Sequence, residues 1–339
     1  MAERTDRRRF LNRSLQSVAG VSAACSLGER VLLAAPEDEA TQSERPKPGI
    51  APGPLPCGKI GNVSISRLFM GGNMIGAYAH SRDLMYVPEL FRAYNTESKI
   101  FETLELAEQC GINTVMLDPR DWPTVLKYKR ERGGQIQTLI GARWLGDMTK
   151  TGDQIKRLVD EGATILYLLG VHADRRLLAG DPDTIGRVVD LIKQQGVPAG
   201  VGSHSLQTPI TCERDKVNAD FYVKSFHMDR YWSASPQDKR EEWCWYKGRR
   251  TEHGYYHDNI WCLDAEKTAA FMESVDKPWV AFKVMAAGAI HPKTAFSHAY
   301  RNGADFIVAG MFDFQVEQDV QIARETLAKI SDRKRPWRA

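Results

Sequence analysis

A chain of 339 residues with 42% hydrophobic side chains can bury one large core, and its length does not demand a second domain. Its 46 basic and 43 acidic residues leave a formal net charge of only +3, scattered along the chain, which argues against a surface that tracks nucleic-acid phosphates. The six cysteines form no Cys-x-x-Cys pair, so neither a zinc knuckle nor a thioredoxin-like redox motif is indicated.

At the N-terminus, Asp6-Arg7-Arg8-Arg9-Phe10-Leu11-Asn12 resembles the twin-arginine export motif, and the weakly apolar stretch 15–27 behind it is too short to span a bilayer. Residues 1–35 are therefore expected to be an export signal read by the twin-arginine translocase, which carries the protein to the periplasm or beyond; a disordered basic tail is the plainer alternative. Cleavage fits after Ala23 or near Ala34-Ala35, and lipid anchoring at Cys25 is a minor variant, because Ser22 stands where leucine is usual. Residues 36–57, rich in Pro, Glu, Lys and Gly, read as a flexible linker to a catalytic domain over 58–339.

From Lys59 onward, short β-branched runs alternate with helix-period segments. Strands are expected at 66–73, 113–118, 137–144, 165–172, 199–204, 221–227, 279–285 and 306–311. Helices are expected between and after them, at 97–110, 122–132, 152–161, 183–195, 207–219, 264–275, 292–302 and 317–331. Gly111, Gly162 and Gly196 each stand where a helix would end in a left-handed residue. Eight such units predict an α/β fold, a single-domain (β/α)8 TIM barrel.

Two connections exceed what a plain barrel needs, 74–96 after the first strand and 228–263 after the sixth, and long loops there shape active sites. The second carries Trp232, Trp245, Tyr256 and Trp261 among other rings, suited to stacking on a sugar face, or else to forming a satellite core for the loop itself. It also holds Cys244 and Cys262, a conceivable disulfide pair after export. In the first loop, His80-Ser81-Arg82-Asp83 offers an acid/base group and an anion-binding guanidinium, or merely a solvated turn.

The strand ends supply Asn73, Asp118, Arg143, His172, His204, His227, Lys283 and Asp313 to one rim, the rim where barrels place catalytic groups. His172, His204 and His227 are candidate ligands for a divalent metal such as zinc; the alternatives are structural histidines or acid, base and orienting groups that work without metal. Lys283 on an apolar strand is a candidate base, Schiff-base nucleophile or oxyanion partner, with a salt bridge to Asp118 or Asp313 as the alternative.

Segments 58–67, 111–118, 165–174 and 306–319 together resemble the aldo/keto reductase superfamily. That resemblance implies a barrel reducing carbonyls with NAD(P), the catalytic aspartate falling on Asp118 and the catalytic histidine on His172. It departs at four places: Trp122-Pro123 stands where the proton-donating tyrosine belongs, Arg143 replaces the lysine, Gly202-Ser203-His204 replaces the Ser-Asn pair that holds the nicotinamide amide, and no matching arginine for a cofactor phosphate follows Met311. The leading expectation is thus an exported enzyme acting on a carbonyl-bearing or sugar-like small molecule by metal-assisted or His/Asp/Lys acid-base chemistry, of lyase, isomerase or hydrolase type. Two alternatives stand beside it: a reductase with tightly held NAD(P), and a glycan-binding barrel without catalysis.

Overall fold

Runs of Val, Ile, Leu and Phe without a polar face suit strands buried on both sides, as a barrel wrapped in helices requires. The computed structural model describes residues 55–80, 84, 86–243 and 259–339. Within them, β3 (Leu68–Gly71), β4 (Thr114–Leu117), β5 (Gln137–Ala142), β6 (Ile165–Leu168), β7 (Ala199–Ser203), β8 (Phe221–Ser225), β9 (Trp279–Phe282) and β10 (Phe306–Ala309) close into a parallel barrel, β10 pairing β3. The fold is a (β/α)8 barrel, as the alternating pattern predicts.

The helices are α1 (Val87–Tyr94), α2 (Glu97–Gln109), α3 (Trp122–Arg132), α4 (Met148–Asp160), α5 (Gly170–Leu178), α6 (Asp183–Lys193), α7 (Gln207–Arg214), α8 (Ala265–Glu273), α9 (Pro292–Arg301) and α10 (Asp313–Lys329). Side-chain caps start several of them: Thr96, Asp147 and Asp264 accept from main-chain N–H groups three residues on. After α2 and α4 the chain turns through Gly111 (φ +93°) and Gly162 (φ +97°), the left-handed ends expected.

Besides α1, which lies inside the 74–96 connection expected to be a loop, two elements escape the strand-helix alternation. Cys57–Ile60 (β1) and Val63–Ser66 (β2) form an antiparallel hairpin, and its Ile60 and Ile65 join Phe69, Ile165, Phe221 and Phe306 in the apolar cluster inside the barrel. Leu55 is buried in the outer core and Cys57 opens β1, so the fold begins inside the stretch expected to be linker; residues 1–54 lie outside the described part. The second is α5, which opens two residues after β6 and takes His172 into its first turn, where the sequence pattern extends the strand.

At the amino-terminal end of the barrel, the last residues of the chain are clamped onto Asp305. Its carboxylate accepts from Arg335 at 2.5 Å, Arg333 at 3.1 Å, and the main-chain N–H groups of Trp279 and Arg338. The Trp337 ring lies 3.6 Å from the guanidinium carbons of both Arg67 and Arg333. Among the described residues, no helix is long and apolar enough to cross a membrane.

Candidate active site

All eight barrel strands run parallel, so their carboxyl ends share one rim. Around β4 and β5 that rim is organised by Asp118. Its carboxylate accepts from Arg120 Nε at 2.8 Å and from Arg143 Nη1 at 3.3 Å. Nearby, Tyr78 OH donates to Asp121 Oδ1 at 3.3 Å; burial and the Asp121 and Asp118 charges push the phenol up to about 12, while burial and Asp118 push Asp121 up to about 6. His172, half-buried in α5, is held down at about 4 by burial and by the Arg143 and Arg175 cations, so its imidazole is neutral at pH 7.

Tyr167 of β6 belongs to the inner cluster and lies beside this group. Glycines on both flanking strands make room for it: a Cβ on Gly141 would stand 3.0 Å from the phenol oxygen, and one on Gly202 2.8 Å from the ring. The side chain is only 3% exposed, burial raises its pKa so that it stays protonated, and its hydroxyl meets no hydrogen-bond partner among the described residues.

Across the mouth, Lys283 follows β9 directly with φ +59°, a left-handed conformation that costs a side-chain-bearing residue roughly 1 kcal/mol or more. Its Nζ donates to His80 Nε2 and lies 4.8 Å from the ring centre of Trp261, against which the His80 ring packs at 4.9 Å. Lys283 and His80 thus come together from loops 203 residues apart in sequence.

Between these groups, His204 follows β7. Its main-chain N–H and its Nδ1 both meet Asp174 Oδ2, at 2.8 and 3.0 Å, and burial pulls its pKa below the usual imidazole range in spite of that partner. On β8, Lys224 is 1% exposed and donates to Ser225 O at 2.7 Å; burial lowers its pKa as well.

His227 is occupied by the backbone. Nδ1 donates to Met228 O at 2.9 Å, and Nε2 accepts from the Trp261 and Cys262 N–H groups at 3.2 and 3.1 Å. It has no lone pair left for a metal, and the expected zinc set of His172, His204 and His227 does not form. Among the described residues, no three His, Cys, Asp or Glu side chains gather to hold a metal ion.

The remaining sequence candidates separate. Trp261 is buried at 1% exposure, with His80 and Lys283 on it, so it walls the site and offers no open platform for a sugar; Trp232 is 81% exposed. Asp313 opens α10 and accepts from Tyr94 and Lys99, away from Lys283. Cys262 is a free buried thiol. Arg82, Asp83, Trp245, Tyr256 and Cys244 lie outside the described residues. Trp122, at the expected tyrosine position, is buried in the outer core at the start of α3.

No family model matches this chain, and no curated protein matches it. Among solved structures, "the putative aldo-keto reductase" from Pseudomonas aeruginosa is 12% identical over 80% of this chain and 95% of its own, with a TM-score of 0.52. Mandelate oxidase in complex with (S)-2-phenylpropionate is 12% identical over 83% of this chain and 78% of its own, with a TM-score of 0.50. At these identities the likeness shows the barrel fold, one that hosts enzymes of several reaction classes.

Proposed function

We propose that this barrel is an exported enzyme that moves protons on a small carbonyl-bearing or sugar-like molecule. The observation that carries the reading is the Lys283–His80 pair, held against Trp261 on a strained backbone at the barrel mouth. Strain of this kind persists where surrounding structure holds it, and it concentrates at functional sites. An ammonium there stabilises an oxyanion or exchanges its proton with His80. Tyr167 offers an O–H donor to a substrate oxygen, and the Asp118–Arg143 pair orients the substrate's polar groups on the other side.

The test is solvent-deuterium incorporation, followed by proton NMR, into dihydroxyacetone, pyruvate, D-fructose and D-glucose. Catalysed exchange next to the carbonyl of at least one compound, abolished in Lys283→Met and weakened in His80→Gln, is the expected outcome. Binding without exchange across the panel would instead support the non-catalytic glycan barrel.

One observation favours a nicotinamide-dependent reductase: the Asp118–Arg143 ion pair beside His172, where the aldo/keto reductase resemblance sets its catalytic groups. The nicotinamide end fits poorly, because Ser203 Oγ is buried and His204 is tied to Asp174. NAD(P) released by denaturing the exported protein would establish this alternative.

A further inference from the structure

Side chains alternate along a barrel strand. On β5, Leu139 belongs to the inner cluster while Ile140 and Ala142 pack in the outer core, so Gly141 and Arg143 fall on the inward face. On β4, Met116 packs inward and Val115 and Leu117 outward, which sends Asp118 inward as well. Gly141 pairs with Tyr167 of β6 in the parallel ladder, and a Cβ on it would stand 3.0 Å from the phenol oxygen. Arg143 is the next inward residue along that face, on the mouth side of the Tyr167 hydroxyl.

The Asp118 carboxylate is gripped by Arg120, whose Nε lies 2.8 Å from Oδ1 and whose Nη2 lies 3.3 Å from Oδ2. Arg143 shares Oδ2 through one nitrogen, Nη1, at 3.3 Å. One carboxylate thus serves two guanidiniums, and the Nε–Nη2 edge of Arg143 meets no hydrogen-bond partner among the described residues. The Arg143 side chain is 30% exposed, while its main-chain N–H, donating to Gln154 Oε1 at 2.8 Å, anchors the residue. The surroundings are electropositive: Arg143, Arg175 and Arg176 all oppose protonation of His172, and Asp118 favours it. A planar pair of N–H donors in such a field matches the two oxygens of a carboxylate or a phosphate.

We propose that Arg143 is the anion subsite of the mouth: the substrate is a small carboxylate or phosphate monoester whose charged group sits on the Nε–Nη2 edge of Arg143 and whose carbonyl or hydroxyl oxygen reaches the Tyr167 hydroxyl. This narrows the acid-base reading of the mouth and rests on it. Asp118 steadies the guanidinium through Nη1, and because Arg120 balances its charge it does not repel the incoming anion as a lone carboxylate would. Gly141 keeps the path between the two groups open, since any side chain there would crowd the phenol oxygen.

The experiment is isothermal titration of the full chain at pH 7 and low salt with two pairs of near-isosteric compounds, pyruvate against hydroxyacetone and dihydroxyacetone phosphate against dihydroxyacetone. Expected is tighter binding of the charged member of at least one pair, on the order of tenfold or more, that weakens with added sodium chloride. A gap in the pyruvate pair alone identifies a carboxylate and in the phosphate pair alone a phosphate; either supports the proposal. In Arg143→Gln the gap should close, in Arg143→Lys it should narrow because the charge remains and the planar pair of donors is lost, and in Arg187→Gln, an exposed cation on α6, it should persist.

Equal affinities within both pairs in wild type overturn the proposal, and this result needs no variant to fold. A gap that survives Arg143→Gln, or that closes equally in Arg187→Gln, overturns it too. Deuterium exchange separates this from the broader reading: equal exchange rates in wild type and Lys283→Met sink the acid-base reading and leave an Arg143-dependent gap standing as binding, whereas exchange lost in Lys283→Met without any gap sinks only the anion subsite.

Discussion

The Tyr167 phenol meets no hydrogen-bond partner among the described residues, so removing its oxygen breaks no hydrogen bond there. Tyr167→Phe is therefore expected to shift stability by no more than about 0.5 kcal/mol while slowing turnover on the order of 10²-fold, read by thermal melting and by exchange kinetics. A large loss of stability with intact turnover would make the hydroxyl structural. His227 gives a second prediction, on pH. Its folded pKa is lowered to about 3 by burial, so between pH 6.5 and that value the unfolded chain takes up a proton that the folded chain refuses. Stability from this group is complete above pH 6.5 and falls as the solution is acidified, by about 2 kcal/mol at pH 5. Asp121, raised to about 6, acts in the opposite direction between about pH 4 and 6, so the comparison of wild type with His227→Gln isolates the effect. The variant should show a flatter dependence in denaturant titrations at pH 5 and 7; an unchanged slope would contradict the buried neutral imidazole. At this scale, Asp118, Arg143, His204 and Lys283 were legible because each stands where an apolar run stops. Tyr167 was not, because it sits within such a run and only its flanking glycines on two other strands mark it. His227 looked like a ligand, since nothing local shows that N–H groups 34 and 35 residues away fold back onto its ring.

Among the elements, the eight barrel strands and the helices that follow them were legible from periodicity alone, since a core face must be apolar whatever the tertiary detail. Boundaries were less so. The chain turns into α5 two residues after β6 because Gly170 lets the helix start pack against β7; a Cβ there would stand 2.9 Å from Ser203 N, a constraint from a strand some 30 residues away. The β1–β2 hairpin was equally hidden, because its Ile60 and Ile65 find their partners only once the barrel has closed. The C-terminal strap yields a prediction of its own. Asp305→Asn removes the charge from a carboxylate that serves two buried arginines, and should cost about 3–5 kcal/mol in denaturant unfolding; a loss below 1 kcal/mol would show that the strap is peripheral.

For the whole molecule, export and catalysis are separable claims. On the twin-arginine reading, a protein with Arg7→Lys and Arg8→Lys together should remain in the cytoplasm by cell fractionation; normal export would remove that reading. Catalysis is tested most directly by the deuterium-exchange rate of the wild-type barrel against Lys283→Met on the best substrate of the panel. The account predicts a drop of at least about 10²-fold in the variant with its fold retained, the usual scale for losing one acid-base or oxyanion partner. Equal rates in the two proteins would contradict it.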